Sequence, residues 1–278
     1  LKNIRKDIVS GIIVALVSIP ISMGYAQIAG LPAVYGLYCS ILPVLIYGLV
    51  TSSPQFVFGV DATPAALVGG TLATLGIVSG SEEAKAVVPS ITLVAALWLL
   101  LFFFIKAGRI VNYISTPVMG GFISGIGVTI ILMQAAKLFG GNAGTGEAIK
   151  LLMHIAGEMK SFNLLSAVLG VGTVIIILIA KKFIPKFPMS VLLMVLGALA
   201  TAIFHIDRCG VKLLPHVDKG LPGFSLPDMS VVFKNPSEII LLGLSVAGVV
   251  MAQTLLATNN YANKYGYKVS NNREILSY

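Results

Sequence analysis

The chain has 278 residues, of which 56% are hydrophobic and only 11% charged, with a formal net charge of +8 and a mean hydropathy of +0.94. A water-soluble domain carries about 25% charged residues, so this composition excludes a soluble globular protein and makes lipid the solvent for most of the chain. The Lys and Arg residues fall in joints between apolar runs, without a basic stripe or interleaved aromatics, which excludes a nucleic-acid surface and makes the positive charge a matter of topology.

Residues 1–7 are short and basic, but the apolar run that follows continues too far for a signal peptide and lacks a small-residue cleavage site. It reads as a first span. Windows of about 19 residues place spans at 8–29, 33–51, 62–79, 86–105, 113–136, 162–181, 189–206 and 238–261, most of them near the roughly 20 residues that cross a ~30 Å hydrocarbon core. Eight crossings put both ends on one side. Eleven of the nineteen Lys and Arg residues lie in the joints of that side, so the positive-inside rule predicts both ends to be cytoplasmic, in the cell membrane.

The first span carries Pro20 in its middle and Gly24 just after it. A proline there deletes a backbone hydrogen bond and clashes with the preceding turn, which predicts a kink or an unwound stretch near mid-membrane. The next irregularity is sharper. Gln55-Phe56-Val57-Phe58-Gly59-Val60 alternates and favours extended backbone, and six such residues reach about 20 Å. Asp61-Ala62-Thr63-Pro64 then offers a capping side chain and a proline at the start of a helix. The third span is therefore expected to begin inside the bilayer, where irregular backbone is tolerated only if it is buried in protein or faces a watery cavity. A helix N-terminus at that depth presents free N–H groups and about half a positive charge in a weakly screening medium, and so attracts an anion without any arginine.

Later elements carry less chemistry. Gly69 and Gly70 on the third span, and Gly120, Gly121, Gly125 and Gly127 on the fifth, permit close helix approach. Gln134 and Lys137 close the fifth span, and Lys137 can snorkel to the interface. Residues 207–235, with Pro215, Pro222 and Pro227, read as an outer connector, and Glu238 complements the positive end of the last long span. Thr258, Asn259 and Asn260 read as headgroup or helix-packing contacts. His154, His205 and His216 share no helix turn, Cys39 and Cys209 lie in different settings, and no GxSxG, HExxH or P-loop pattern occurs. No metal, no enzymatic activity and no cofactor are expected, apart from a coupling H+ or Na+.

Pro20, Gly24-Tyr25-Ala26 and Ala29-Gly30-Leu31-Pro32-Ala33-Val34-Tyr35-Gly36-Leu37-Tyr38 closely resemble the opening signature of the sulfate permease family, solute carrier family 26. Ser115-Thr116-Pro117-Val118 with Gly121-Phe122-Ile123-Ser124-Gly125, Gly220-Leu221-Pro222 with Leu226-Pro227, and Gly266-Tyr267-Lys268 with Asn272-Arg273-Glu274 are similar as well. The resemblance implies an all-α membrane protein, the first half of a 7+7 inverted-repeat transporter fold, with a discontinuous third span preceded by a short extended segment. Residues 1–278 would then form a transport domain of spans 1 to 8, with an incomplete second repeat and no cytoplasmic regulatory domain in this stretch.

The same resemblance implies an anion site at the start of span three, lined by spans one and eight, that maps onto Ile21, Tyr25, Gly59, Val60, Asp61, Ala62 and Gln253. Ile21 stands where many relatives have glutamine, and Gln253 where cation-coupled relatives often have an acid. Ala257 replaces a hydroxyl that some relatives use for sodium. Asp61 is thus left with two readings: a plain cap that fills the place of an anion, or a coupling group that takes up H+ or Na+ when substrate binds. The expected activity is secondary transport of sulfate, bicarbonate or halide by alternating access. An uncoupled anion channel and a nucleobase carrier are the alternatives, and a homodimer is admitted as an assembly.

Overall fold

The computed structural model describes residues 4–113, 116–142, 144, 148–184, 187, 189–213, 220, 227, 230, 233 and 236–278. Among them the regular structure is helical: α1 (Ile4–Ile28), α2 (Ala33–Cys39), α3 (Leu42–Val50), α4 (Ala62–Thr74), α5 (Glu82–Phe104), α6 (Thr116–Leu138), α7 (Ala148–Glu158), α8 (Leu164–Phe183), α9 (Met189–Phe204), α10 (Pro236–Tyr265) and α11 (Asn271–Ser277), with short 3-10 turns between. Among the described residues, α1, α2 with α3, α5, α8 and α10 form five segments long and apolar enough to cross a membrane, and Gly127–Leu138 and Met189–Phe204 are shorter apolar helices. The chain is a multi-pass membrane protein.

Three local features depart from the expectations. The helix α1 runs unbroken through Pro20; one missing backbone bond does not unwind a membrane helix, because the surrounding apolar medium penalises every further bond that would open. The second span is two short helices with a turn at Ser40 and Ile41. Pro43 stands in the first turn of α3, where its missing N–H leaves no intrahelical bond unmade. Ser40 Oγ closes the turn on the Gly36 carbonyl at 2.9 Å. The joint after α6 contains a further helix, α7, whose Leu151 is fully buried. Of the connector 207–235, the turn Ile206–Cys209 is described, whereas Pro215 and Pro222 lie outside the described residues.

The chain divides into two compact units. The first, Leu1–Ile21 with Val128–Val217, contains most of α1, the end of α6, and α7 to α9. Asn163 caps α8 by accepting from the Ser166 amide at 2.8 Å, and its side-chain amide donates to the Cys209 carbonyl at 2.9 Å. Glu158 accepts from the Asn142 amide at 2.8 Å, and that bond holds its carboxyl below the usual carboxylate range.

The second unit, Ser22–Gly127 with Asp218–Tyr278, contains the end of α1, then α2 to α5, and α10 with α11. Its core is built from Leu72 on α4, Ile91 and Val94 on α5, Ala247 and Leu255 on α10, and Ile275 on α11. The α5–α10 pair is its most extensive helix interface. Gly243 of α10 lies so near Val94 that a Cβ there would have to displace the valine side chain. Ser81 caps α5 from the Ala84 amide at 3.1 Å. The end of α1 meets α2 and α4 through two glycines: a Cβ at Gly36 would collide with the Ser22 carbonyl, and one at Gly69 with the Ile28 carbonyl. Small residues here let backbones touch, which is how membrane helices associate when lipid offers no hydrophobic drive.

Candidate anion site at the start of a half-helix

Residues 56–60 have no regular secondary structure. Asp61 has extended backbone, φ −118° and ψ 142°, and α4 begins at the next residue. No unbroken helix passes through Gly59 and Asp61. The 13 residues of α4 rise about 20 Å at 1.5 Å each, short of the ~30 Å of a hydrocarbon core. This span is a half-helix led by non-helical chain, with Ala62 buried at its first position and Asp61 exposed before it. Pro64 is the third helical residue and not the first, but it still lies in the turn whose N–H groups have no intrahelical partner.

Asp61 caps the helix as expected: its Oδ1 accepts from the Thr63 amide at 3.4 Å, and its carboxylate lies against the Ala62 amide. At 3.4 Å this bond is long for N–H···O, and Asp61 is exposed while Ala62 is 97% buried, with 3% accessibility. Gly59 is exposed and Val60 half-buried. The cap therefore holds its place weakly.

Gln253, from the middle of α10, reaches the same turn. Its side-chain amide donates to Thr63 Oγ1 at 3.1 Å, and its Oε1 is buried without a hydrogen-bond partner. A buried unpaired amide oxygen costs about 1–3 kcal/mol, and as an acceptor it calls for a donor or a cation and not for an anion. Tyr25, half-buried near the end of α1, is an electrostatic neighbour of Asp61. The structure thus brings together Tyr25, Gly59, Val60, Asp61, Ala62 and Gln253. Ile21, about one helical turn before Tyr25 on α1, is exposed. Thr63, which ties Gln253 to the half-helix, escaped the sequence reading, although a hydroxyl two residues after a capping aspartate is a visible signal.

A membrane fold that is helical among the described residues, with a short helix, α4, led by non-helical chain, defines the class as a polytopic membrane protein. The model of the sulfate permease family matches residues 4–278, and the chain belongs to that family. It is 26% identical over 273 residues to a probable sulfate transporter of Mycobacterium tuberculosis, covering 98% of this chain and 48% of the relative. It is 28% identical over 288 residues to sulfate transporter 2.2 of Arabidopsis thaliana, covering 98% and 42%. The chain spans about half the length of these curated relatives. Among solved structures, SLC26A9 superposes with a TM-score of 0.83 at 22% identity, over 99% of this chain and 46% of that one. The transmembrane domain of the cyanobacterial bicarbonate transporter BicA gives 0.81 at 18% identity, over 100% and 70%. These two likenesses show the fold.

Proposed function

We propose that this chain carries the first anion-binding half of a secondary transporter that moves sulfate, bicarbonate or halide by alternating access. The observation that carries this reading is the start of α4: extended backbone up to Asp61, helix from Ala62, and the Gln253 amide hydrogen-bonded to Thr63 beside it. Aligned peptide dipoles place about half a positive charge at such an end, and an anion can replace the weak contact that Asp61 makes there. The relatives named as sulfate transporters and the neighbour named as a bicarbonate transporter support a small inorganic anion as cargo.

Asp61 sets the coupling. Two like charges about 4 Å apart repel by about 4 kcal/mol at an effective dielectric of 20, enough to weaken anion binding several hundredfold. Uptake of a proton or a sodium ion at Asp61 removes that repulsion, and anion and cation then travel together. Gln253 cannot titrate, so it orients the site and does not couple it. Two inverted repeats of seven spans, of which this stretch would supply spans 1 to 8, a cell-membrane location with both ends cytoplasmic, and assembly as a homodimer complete the proposal.

The test is uptake by full-length protein in proteoliposomes. Saturable uptake of labelled sulfate or bicarbonate driven by an inward proton or sodium gradient is expected, and Asp61→Asn is expected to abolish the gradient dependence. Unitary currents in planar bilayers would establish a channel instead, and uracil uptake exceeding that of both anions a nucleobase carrier.

A further inference from the structure

The most completely satisfied polar side chain in the second unit lies away from the half-helix. Glu274 on α11 is fully buried. Its Oε1 accepts from the Ser52 amide and the Ser52 hydroxyl, each at 2.6 Å. Its Oε2 accepts from Tyr47 Oη at 2.9 Å, and Thr51 Oγ1 stands 3.0 Å from both oxygens. Among the described residues no cation pairs with it; its neighbour Arg273 uses Nε to bind the Val50 carbonyl at 2.7 Å. A carboxylate is acceptor-only, and each of these groups can donate to it; the NH2 of an amide in its place would require the facing hydroxyls to turn and accept.

What Glu274 holds is the end of the second span and the start of the chain that leads into α4. The contacts continue along that chain. Ser270 N donates to Ser52 Oγ at 3.0 Å, and Ser53 Oγ is 3.1 Å from Tyr267 Oη. The Tyr278 ring stacks on Phe58 with centroids 5.3 Å apart and on Tyr47 at 6.2 Å. Phe58 is three residues before the Asp61 cap. Residues without helical or sheet bonds of their own are thereby fixed between Ser52 and Phe58 by side chains of α11, its flanks and α3.

We propose that Glu274 is a positioning residue for the anion site: by clamping residues 51–58 to α11 it sets where the N-terminus of α4 stands. The clamp rests on the anion-site reading for its functional consequence, though not for its geometry. A misplacement of about 1 Å at a binding centre can cost two orders of magnitude, and irregular chain has no ladder of backbone bonds to resist such a shift.

The test uses the full-length protein with Glu274→Gln and, as a milder change, Tyr47→Phe, which deletes one donor and keeps the ring stack. In proteoliposomes, Glu274→Gln is expected to raise the KM for sulfate or bicarbonate by about tenfold with a smaller change in the maximal rate per folded protein. Tyr47→Phe should raise KM by about threefold, the lesser share expected when one of several donors is lost. In parallel, amide hydrogen exchange at residues 56–60 should accelerate in both variants while α5 and α10 stay protected. Unchanged KM with loss only of yield or melting temperature would reduce Glu274 to a plain stabilising contact and overturn the proposal. So would unchanged exchange at 56–60. Should Glu274→Gln fail to fold, the same two measurements on Tyr47→Phe decide. If the unmodified protein moves no anion, the transport reading fails, and the exchange result still decides whether the clamp exists.

Discussion

Asp61 and Glu274 are carboxylates of the same compact unit, and they have opposite surroundings. Glu274 is sealed from solvent and met by four donor groups from Tyr47, Thr51 and Ser52. Asp61 is exposed and rests on the Thr63 amide, at a long 3.4 Å, and on the Ala62 amide. A buried carboxylate whose acceptor sites are filled cannot exchange partners without stranding its donors, whereas one at an open helix end can yield its place to another anion. The contrast separates the group that holds the scaffold from the group that can respond to ligand.

Removing the sealed carboxylate should have the largest effect. Glu274→Ala strands its donors and opens a cavity, so a loss of about 3–5 kcal/mol is expected, read by thermal melting in detergent; a loss under about 1 kcal/mol would place the pocket in contact with water. Next comes the backbone that carries the responsive end. Gly69→Ala would drive a Cβ into the Ile28 carbonyl and should cost about 1–3 kcal/mol. Gly24, with open space where its Cβ would stand, should accept Ala with a gain of up to about 1 kcal/mol, the difference in helix propensity. Equal effects at the two glycines would break the packing account.

At the open end the effects turn from stability to ligand. Asp61→Asn should cost under about 1 kcal/mol of stability, because a weak exposed cap contributes little, while removing the response of uptake to imposed gradients. Gln253→Ala should raise the anion KM by about three- to tenfold, the worth of one hydrogen bond, with melting nearly unchanged. The smallest effect is in the first unit. The Glu158 carboxyl is held below its usual range by the Asn142 amide, so its contribution is present above the ordinary glutamate pKa and is lost as pH falls through the lowered folded value. Glu158→Gln should lower the melting temperature slightly at neutral pH, where the contribution is present, and leave the acid end nearly unaffected, so that the acid limb of the pH–melting profile flattens.

Much of the responsive end was legible because its signals are local. Alternation over residues 55–60, a capping aspartate and Pro64 lie within ten positions, and each acts on its own neighbours. The anchoring end was not legible in the same way: Tyr47 and Glu274 are separated by 227 positions, and neither residue type announces the other. Asn272-Arg273-Glu274 was visible as a family likeness without any hint that the carboxylate is buried. Pro43 is a visible signal for the split second span, since proline is favoured in the first turn of a helix. Of the kink or unwound stretch expected at Pro20, the unwinding does not occur, because a single lost bond bends a membrane helix more readily than it unwinds it.

Anomalous diffraction from crystals of the full-length protein grown with selenate, and separately with bromide, tests the central claim most directly. The account predicts a peak at the N-terminus of α4, within contact distance of the Ala62 and Thr63 amides and of the Gln253 side chain. Strong peaks elsewhere in the membrane domain, with that helix end empty at anion concentrations that saturate uptake, would contradict it.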